Sequence, residues 1–196
     1  MARTGRRPGA TRTRDQILSA AREQFAELGF GGATIRGIAR AAEVDPALVH
    51  HFFGSKEDVF VAAMRLPYNP ATVIREILAQ AGPDPAPSVL RGLLRIWDAP
   101  ETQATMVGLI RSAVADDRTA RVIRDFLSDM VVQQVSAELG VPPLRATAAA
   151  SQLLGLIVLR YVLRIEPVAS AGHEDIVREY SPALGALIGA AAPPTT

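Results

Sequence analysis

The sequence predicts an all-helical protein: a three-helix unit holding a helix-turn-helix near the N-terminus, followed by a larger helical body. Two observations carry this. Turn residues divide the chain into helix-length pieces, and no segment sustains a two-residue alternation rich in β-branched side chains. Of the 196 residues, 48% are hydrophobic, enough to bury a real core and too many for a disordered chain.

The stretch 1–13 carries Arg3, Arg6, Arg7 and Arg12 with no acid, and is expected to be a basic flexible arm. The helix-turn-helix unit is expected over 14–60. Its first helix, RDQILSAAREQFAELGF, places Ile17, Ala20, Ala21, Phe25 and Leu28 on one face, and Gly29 ends it. The second opens on Thr34, a good N-cap, with Ile35, Ile38, Ala39 and Ala42 as its apolar stripe. The third starts with Asp45 as N-cap and Pro46 at the first helical position. The fourth starts at Ser55 with Asp58 three residues on, which is similar to a capping box.

At about 100° per residue, Val49, Phe52 and Phe53 form the core-facing stripe of the third helix. Pro46, Ala47, His50 and His51 are then presented outward. In a helix-turn-helix this second helix lies in the DNA major groove. Adjacent histidines diverge on a helix, whereas helical metal pairs favour i, i+4 spacing. His50 and His51 therefore predict a recognition surface and no metal site.

Beyond the fourth helix, Pro67 and Pro70 in LPYNP break or bend the path. The body over 61–190 reads as helices at about 71–81, 88–97, 101–115, 119–139, 143–165 and 173–190, and 191–196 as a disordered tail. The 119–139 helix carries Val122, Ile123, Phe126, Leu127, Met130, Val131 and Val135 at helical spacing. The 143–165 helix is apolar nearly all round, so either the core or a partner subunit covers its second face.

Charge is uneven. Residues 1–56 hold nine basic and five acidic side chains; the remainder hold twelve and fifteen. A basic first quarter on an otherwise acidic chain points to a polyanion at that end. There is no cysteine, no HExxH, no P-loop and no GxGxxG after a strand, so neither an enzyme nor a metal or cofactor protein is expected. No secretory signal and no apolar run of ~20 residues is present, which fits a cytoplasmic protein without a membrane partner.

The segment TIRGIARAAEVDPALVHHFFGSKEDVF resembles the N-terminal DNA-binding domain of TetR-family transcriptional regulators, from about Arg14 to Phe60. The resemblance rests on Phe25-x-x-x-Gly29, on Thr34 opening the second helix, and on the run from Phe53 to Glu57 opening the fourth. WDAPET, SQLLGL and RYVLRIEP resemble a C-terminal type common among actinobacterial members. Three positions depart from the family: Glu43 stands where Gly is usual in the turn, His50 where Tyr is common, and Phe52 where His is common.

The resemblance implies DNA contacts, residue by residue. Thr34 holds a phosphate at a helix N-terminus. Arg36 reaches a guanine edge. Pro46 and Ala47 touch sugar or a thymine methyl. His50 touches phosphate and His51 faces the groove. Lys56, the sole lysine, pairs with a phosphate, and the N-terminal arginines run along the backbone or minor groove. Phosphate contacts supply affinity and salt dependence, and base contacts supply specificity.

The resemblance also implies a homodimer, placed on the helices at about 119–139 and 143–165, that reads a palindromic operator and is released by a small effector. Met64, Tyr68, Trp97, Met106, Ile110, Val114 and Phe126 are the candidate effector-binding residues, which suit a mainly hydrophobic ligand. The alternative reading is a nucleoid or division factor of the same fold without a ligand.

Overall fold

The computed structural model describes residues 8–189, with side chains for all but 8–10, 118, 129–131 and 134. Among the described residues there is no strand. The helices are α1 (Pro8–Gly32), α2 (Ile35–Ala41), α3 (Pro46–Phe53), α4 (Lys56–Ala63), α5 (Pro70–Gln80), α6 (Ala86–Trp97), α7 (Pro100–Ala115), α8 (Asp117–Phe126), α9 (Gln133–Leu139), α10 (Pro143–Ile157) and α11 (His173–Ile188). Two π-helical segments, Leu127–Val132 and Val158–Val162, follow α8 and α10.

The described residues form two compact units. One joins the residues up to Asn69 with Ser112–Phe126; the other joins Pro70–Arg111 with the residues from Leu127 onward. This differs from the expected division at residue 60. The first unit extends to Asn69 and takes back Ser112–Phe126 from further along the chain.

In the first unit the helix starts follow the local chemistry of the sequence. Thr34 Oγ1 accepts a bond of 3.0 Å from the Gly37 N–H, and Asp45 Oδ1 one of 2.7 Å from the Ala47 N–H. Ser55 Oγ accepts from the Asp58 N–H at 3.1 Å and donates to Asp58 Oδ2 at 2.7 Å. Each cap satisfies a donor that a helix start otherwise leaves open.

Two expectations for α1 are corrected. The helix begins at Pro8, so Arg12 is helical; Arg3, Arg6 and Arg7 lie outside the described residues, as does the 191–196 tail. Gly29 does break the helix, at φ 71°, but the chain then makes a further turn to Gly32. That kink turns Phe30 inward to 2% exposure and leaves Leu28 53% exposed. A core of Ile17, Phe25, Phe30, Ile38, Val49, Val59 and Phe60 results, joined by Val122 and Phe126 from α8. The Phe25, Phe30, Phe60 and Phe126 rings pack at centroid distances of 4.3–5.8 Å.

The second unit is built on Leu90, Leu94, Trp97, Leu156, Tyr161, Ile176, Val177, Leu184 and Ile188, where α6, α10 and α11 meet. The expected 143–165 helix stops earlier: Leu163 caps it, and Leu163 and Ile165 are exposed. The expected 119–139 helix is α8 and α9 joined through the π-helical turn.

Polar groups tie α6 to α11 at one end of this core. Tyr161 Oη donates to Asp98 Oδ1 at 2.8 Å, and His173 Nε2 meets Asp98 Oδ2 at 2.5 Å. Burial pushes the Asp98 carboxyl up, but the Tyr161 and His173 hydrogen bonds and the nearby Arg160 charge outweigh it and hold the group below its usual range. Burial and the same carboxylate push the Tyr161 hydroxyl up. Arg91 adds a two-bond fork to Glu174 at 2.8 and 2.7 Å.

Candidate nucleic-acid interface

The α3 helix sorts its side chains as its periodicity demands. Val49 is completely buried, Phe52 and Phe53 are half-buried, and Pro46, Ala47, His50 and His51 are exposed. Asp45 and Pro46 fix where the helix begins, and Gly54 at φ 86° ends it. The eight-residue helix therefore stands with one side sealed against the core and the other open.

The turn before it holds the first departure from the usual glycine. Glu43 sits at φ 54°, in left-handed backbone. The Val44 N–H bonds the Ala39 carbonyl at 2.9 Å and the Glu43 N–H bonds the Arg40 carbonyl at 3.2 Å. These are the two bonds of a Schellman motif, whose left-handed position glycine normally fills. Two satisfied α2 carbonyls support the turn, at a side-chain steric cost of about 1–2 kcal/mol.

His50 is oriented by its neighbour. Its Nδ1 lies 2.9 Å from the Gly54 carbonyl oxygen. A carbonyl only accepts, so Nδ1 carries the proton and Nε2 is left available. His51 instead packs edge-on near Phe52, at 5.6 Å between ring centroids. The two imidazoles do not converge. Among the described residues no group of three or more His, Asp or Glu is placed to hold a metal ion.

Thr34 and Arg36 are exposed at the start of α2, and Thr34 doubles as the helix cap. Lys56, at the start of α4, is half-buried: Nζ donates to the Phe30 carbonyl at 2.9 Å and lies over the Phe30 ring. Arg14 of α1 lies over the Phe53 ring at 5.2 Å, behind α3, a contact the sequence reading did not single out.

The seven candidate effector residues are divided between the two units. Trp97, Met106 and Ile110 belong to or pack on the core of the second unit, with Trp97 stacked on Tyr161 at 5.5 Å. Met64 and Tyr68 are half-buried residues of the first unit. Val114 departs from the expectation, because it lies on the solvent side of α7 at 86% exposure. Phe126 departs too: its ring is taken up by Phe30 and Phe60 in the first unit's core.

The second unit does hold an apolar cavity of about 70 Å³, lined in part by Ile74, Leu78, Val89, Val135, Leu153 and Ile188. None of the seven candidates lines it. Helical periodicity marks an apolar face, and both core and cavity walls look alike at that level.

Comparison with known proteins matches two parts of the chain to family models. Residues 17–63 match the family described as "Bacterial regulatory proteins, tetR family". Residues 84–188 match "Tetracyclin repressor-like, C-terminal domain". The chain is 36% identical over 84 residues to the HTH-type transcriptional repressor AcnR of Corynebacterium glutamicum, a match covering 43% of this chain and 42% of that protein. It is 33% identical over 89 residues to the HTH-type transcriptional repressor NicS of Pseudomonas putida, covering 45% and 42%. Each match thus spans less than half the length of the repressor concerned.

Among solved structures, a TetR-family regulator from Streptomyces coelicolor is 36% identical, with 94% of this chain and 98% of that one covered and a TM-score of 0.45. Salmonella enterica GusR, at 17% identity, covers 95% and 99% with a TM-score of 0.50 and shares the fold.

Proposed function

The chain belongs to the tetR family of bacterial regulatory proteins, and from that premise we propose that it is a ligand-responsive repressor that binds a palindromic operator as a homodimer. The observation that carries the reading is α3 itself, with Val49 sealed in the core and Pro46, Ala47, His50 and His51 open on the other side. A helix held rigidly from behind, with small and hydrogen-bonding groups in front, suits the major groove. Thr34, Arg36 and Lys56 flank it as phosphate or base contacts.

The dimer surface is assigned to α10. Within the apolar stripe expected to serve it on 119–139, Val122 and Phe126 lie in one core and Val135 lines the cavity, while Leu127 is 43% exposed. On α10, by contrast, Leu144 is 81% and Leu154 48% exposed, with Ser151 and Gly155 open beside them. Exposed leucines next to small residues suit close packing of a second copy. The effector is assigned to the apolar cavity of the second unit. At its present volume it must widen to take a drug-sized molecule.

Selection of bound fragments from random DNA tests the reading. The expected result is one enriched palindrome whose half-sites lie about one helical turn, or a multiple of it, apart. Recovery of no enriched sequence overturns it.

A further inference from the structure

We propose that the apolar cavity of the second unit selects an uncharged, hydrocarbon-like occupant, an alkyl or alicyclic group, and that Ala146, Ala149 and Ala150 of α10 set how large that group can be. This deepens the effector reading above and rests on it for any effect on DNA.

The wall carries the chemistry. Among the described residues that line the cavity, every side chain is that of Ala, Val, Leu or Ile. None offers a hydrogen-bond donor or acceptor, none a charge and none an aromatic ring. All of these residues lie in α- or π-helical segments, where most backbone groups are paired along the helix. Charged side chains beside the wall in sequence are engaged elsewhere. Arg75, next to Ile74, pairs with Glu138, next to Leu139, at 3.4 Å. Arg145, next to Ala146, donates to the Ala186 carbonyl.

An ionised group brought into this space gives up its water and gains no partner, which costs more than burial of its carbon skeleton returns. A cation finds no ring face to lie on. A hydrocarbon has no polar group to desolvate, and it gains both burial and dispersion contacts. The size limit follows from α10. Ala146 and Ala149 are buried, and with half-buried Ala150 they present nothing beyond Cβ on that side. A longer side chain at any of the three fills the space directly. Leu153, one helical turn further on, is also part of the wall, and shortening it enlarges the cavity.

Three probes that share one ring and differ in charge test this: cyclopentane, cyclopentylammonium and cyclopentanecarboxylate. Each is titrated into the full chain near neutral pH. Methyl NMR of the alanine and valine resonances locates binding, and the melting temperature rises with any ligand of the native state. Cyclopentane is expected to shift the Ala149 and Val135 methyls and to raise the melting temperature. Both ions are expected to bind at least about a hundredfold more weakly. Ala149→Leu should lower cyclopentane affinity by about tenfold or more, and Leu153→Ala should admit cyclooctane, which the parent excludes. Should Ala149→Leu fail to fold, Ala150→Val, at a half-buried position, carries the test. The proposal is overturned if either ion binds as tightly as cyclopentane, if cyclopentane does not bind, or if a folded cavity-filling variant keeps the parental affinity. These readouts use no DNA. A chain that takes cyclopentane yet shows unchanged operator affinity at saturation counts against the effector reading and still supports the chemistry assigned to the cavity.

Discussion

Lys56 Nζ donates a 2.9 Å hydrogen bond to the Phe30 carbonyl and lies 4.3 Å from the centroid of the Phe30 ring. The only lysine of the chain thus closes the end of α1 onto the start of α4. An ammonium has three N–H donors, and this bond uses one. The same side chain can hold the head together and still face a phosphate.

Lys56→Ala is therefore expected to act twice. It lowers stability by about 1–2 kcal/mol, from a charged hydrogen bond at a half-buried site and the ring contact. It also lowers the slope of log affinity against log salt by about 1. Denaturant unfolding and operator titration at several salt concentrations read the two effects. An unchanged slope assigns Lys56 to structure alone.

Glu43→Gly should stabilise the protein. The left-handed backbone at φ 54° costs a side chain about 1–2 kcal/mol, partly offset by the unfolded-state freedom that glycine adds. A net gain of about 0.5–1 kcal/mol is expected. Thermal unfolding checks it, and a lowered melting temperature would show that the Glu43 side chain stabilises the turn.

His50→Ala/His51→Ala should weaken operator binding. With the Nδ1 proton committed to the Gly54 carbonyl, His50 presents Nε2 outward from α3, and both residues are exposed. Mobility-shift titrations measure the effect, and an affinity identical to the parent's removes both histidines from the contact.

Leu154→Arg should weaken the homodimer. The substitution places a charge on the exposed leucine stripe of α10 while leaving the buried side of that helix intact. Sedimentation velocity is expected to show monomer, with palindrome affinity reduced by tenfold or more, about the factor that 1.4 kcal/mol supplies. A dimeric variant would move the interface off α10.

The acid limb of stability should depend on Asp98. Its folded-state pKa is lowered, so the stability it contributes is present above the unfolded carboxylate value of about 3.9 and is lost as pH falls through the folded value. Below about pH 4 the parent should therefore lose stability faster than Asp98→Asn. Urea midpoints between pH 6 and 2.5 measure this, and parallel curves would assign the acid loss to other carboxylates.

What could be read from the residues alone was local. Thr34, Asp45 with Pro46, and Ser55 with Asp58 each determine a helix start, because cap and capped N–H lie within three residues of one another. The 100° step then places Val49 opposite Ala47 whatever the rest of the chain does. The helix-turn-helix and its outward face were legible for that reason, as was the broad family through the order of these signals. Tertiary packing decided what no local rule contains. Leu28 and Phe30 compete for the end of α1, and the kink at Gly29 settles it for Phe30. Phe126, apolar at helical spacing, suited a ligand wall as well as a core. Only the meeting of α8 with α1 and α4 assigns it to the head. Lys56 is tied to α1 because the Phe30 carbonyl lies within its reach, across 26 residues of chain. Periodicity tells which side of a helix is apolar; which surface covers that side depends on contacts distant in sequence.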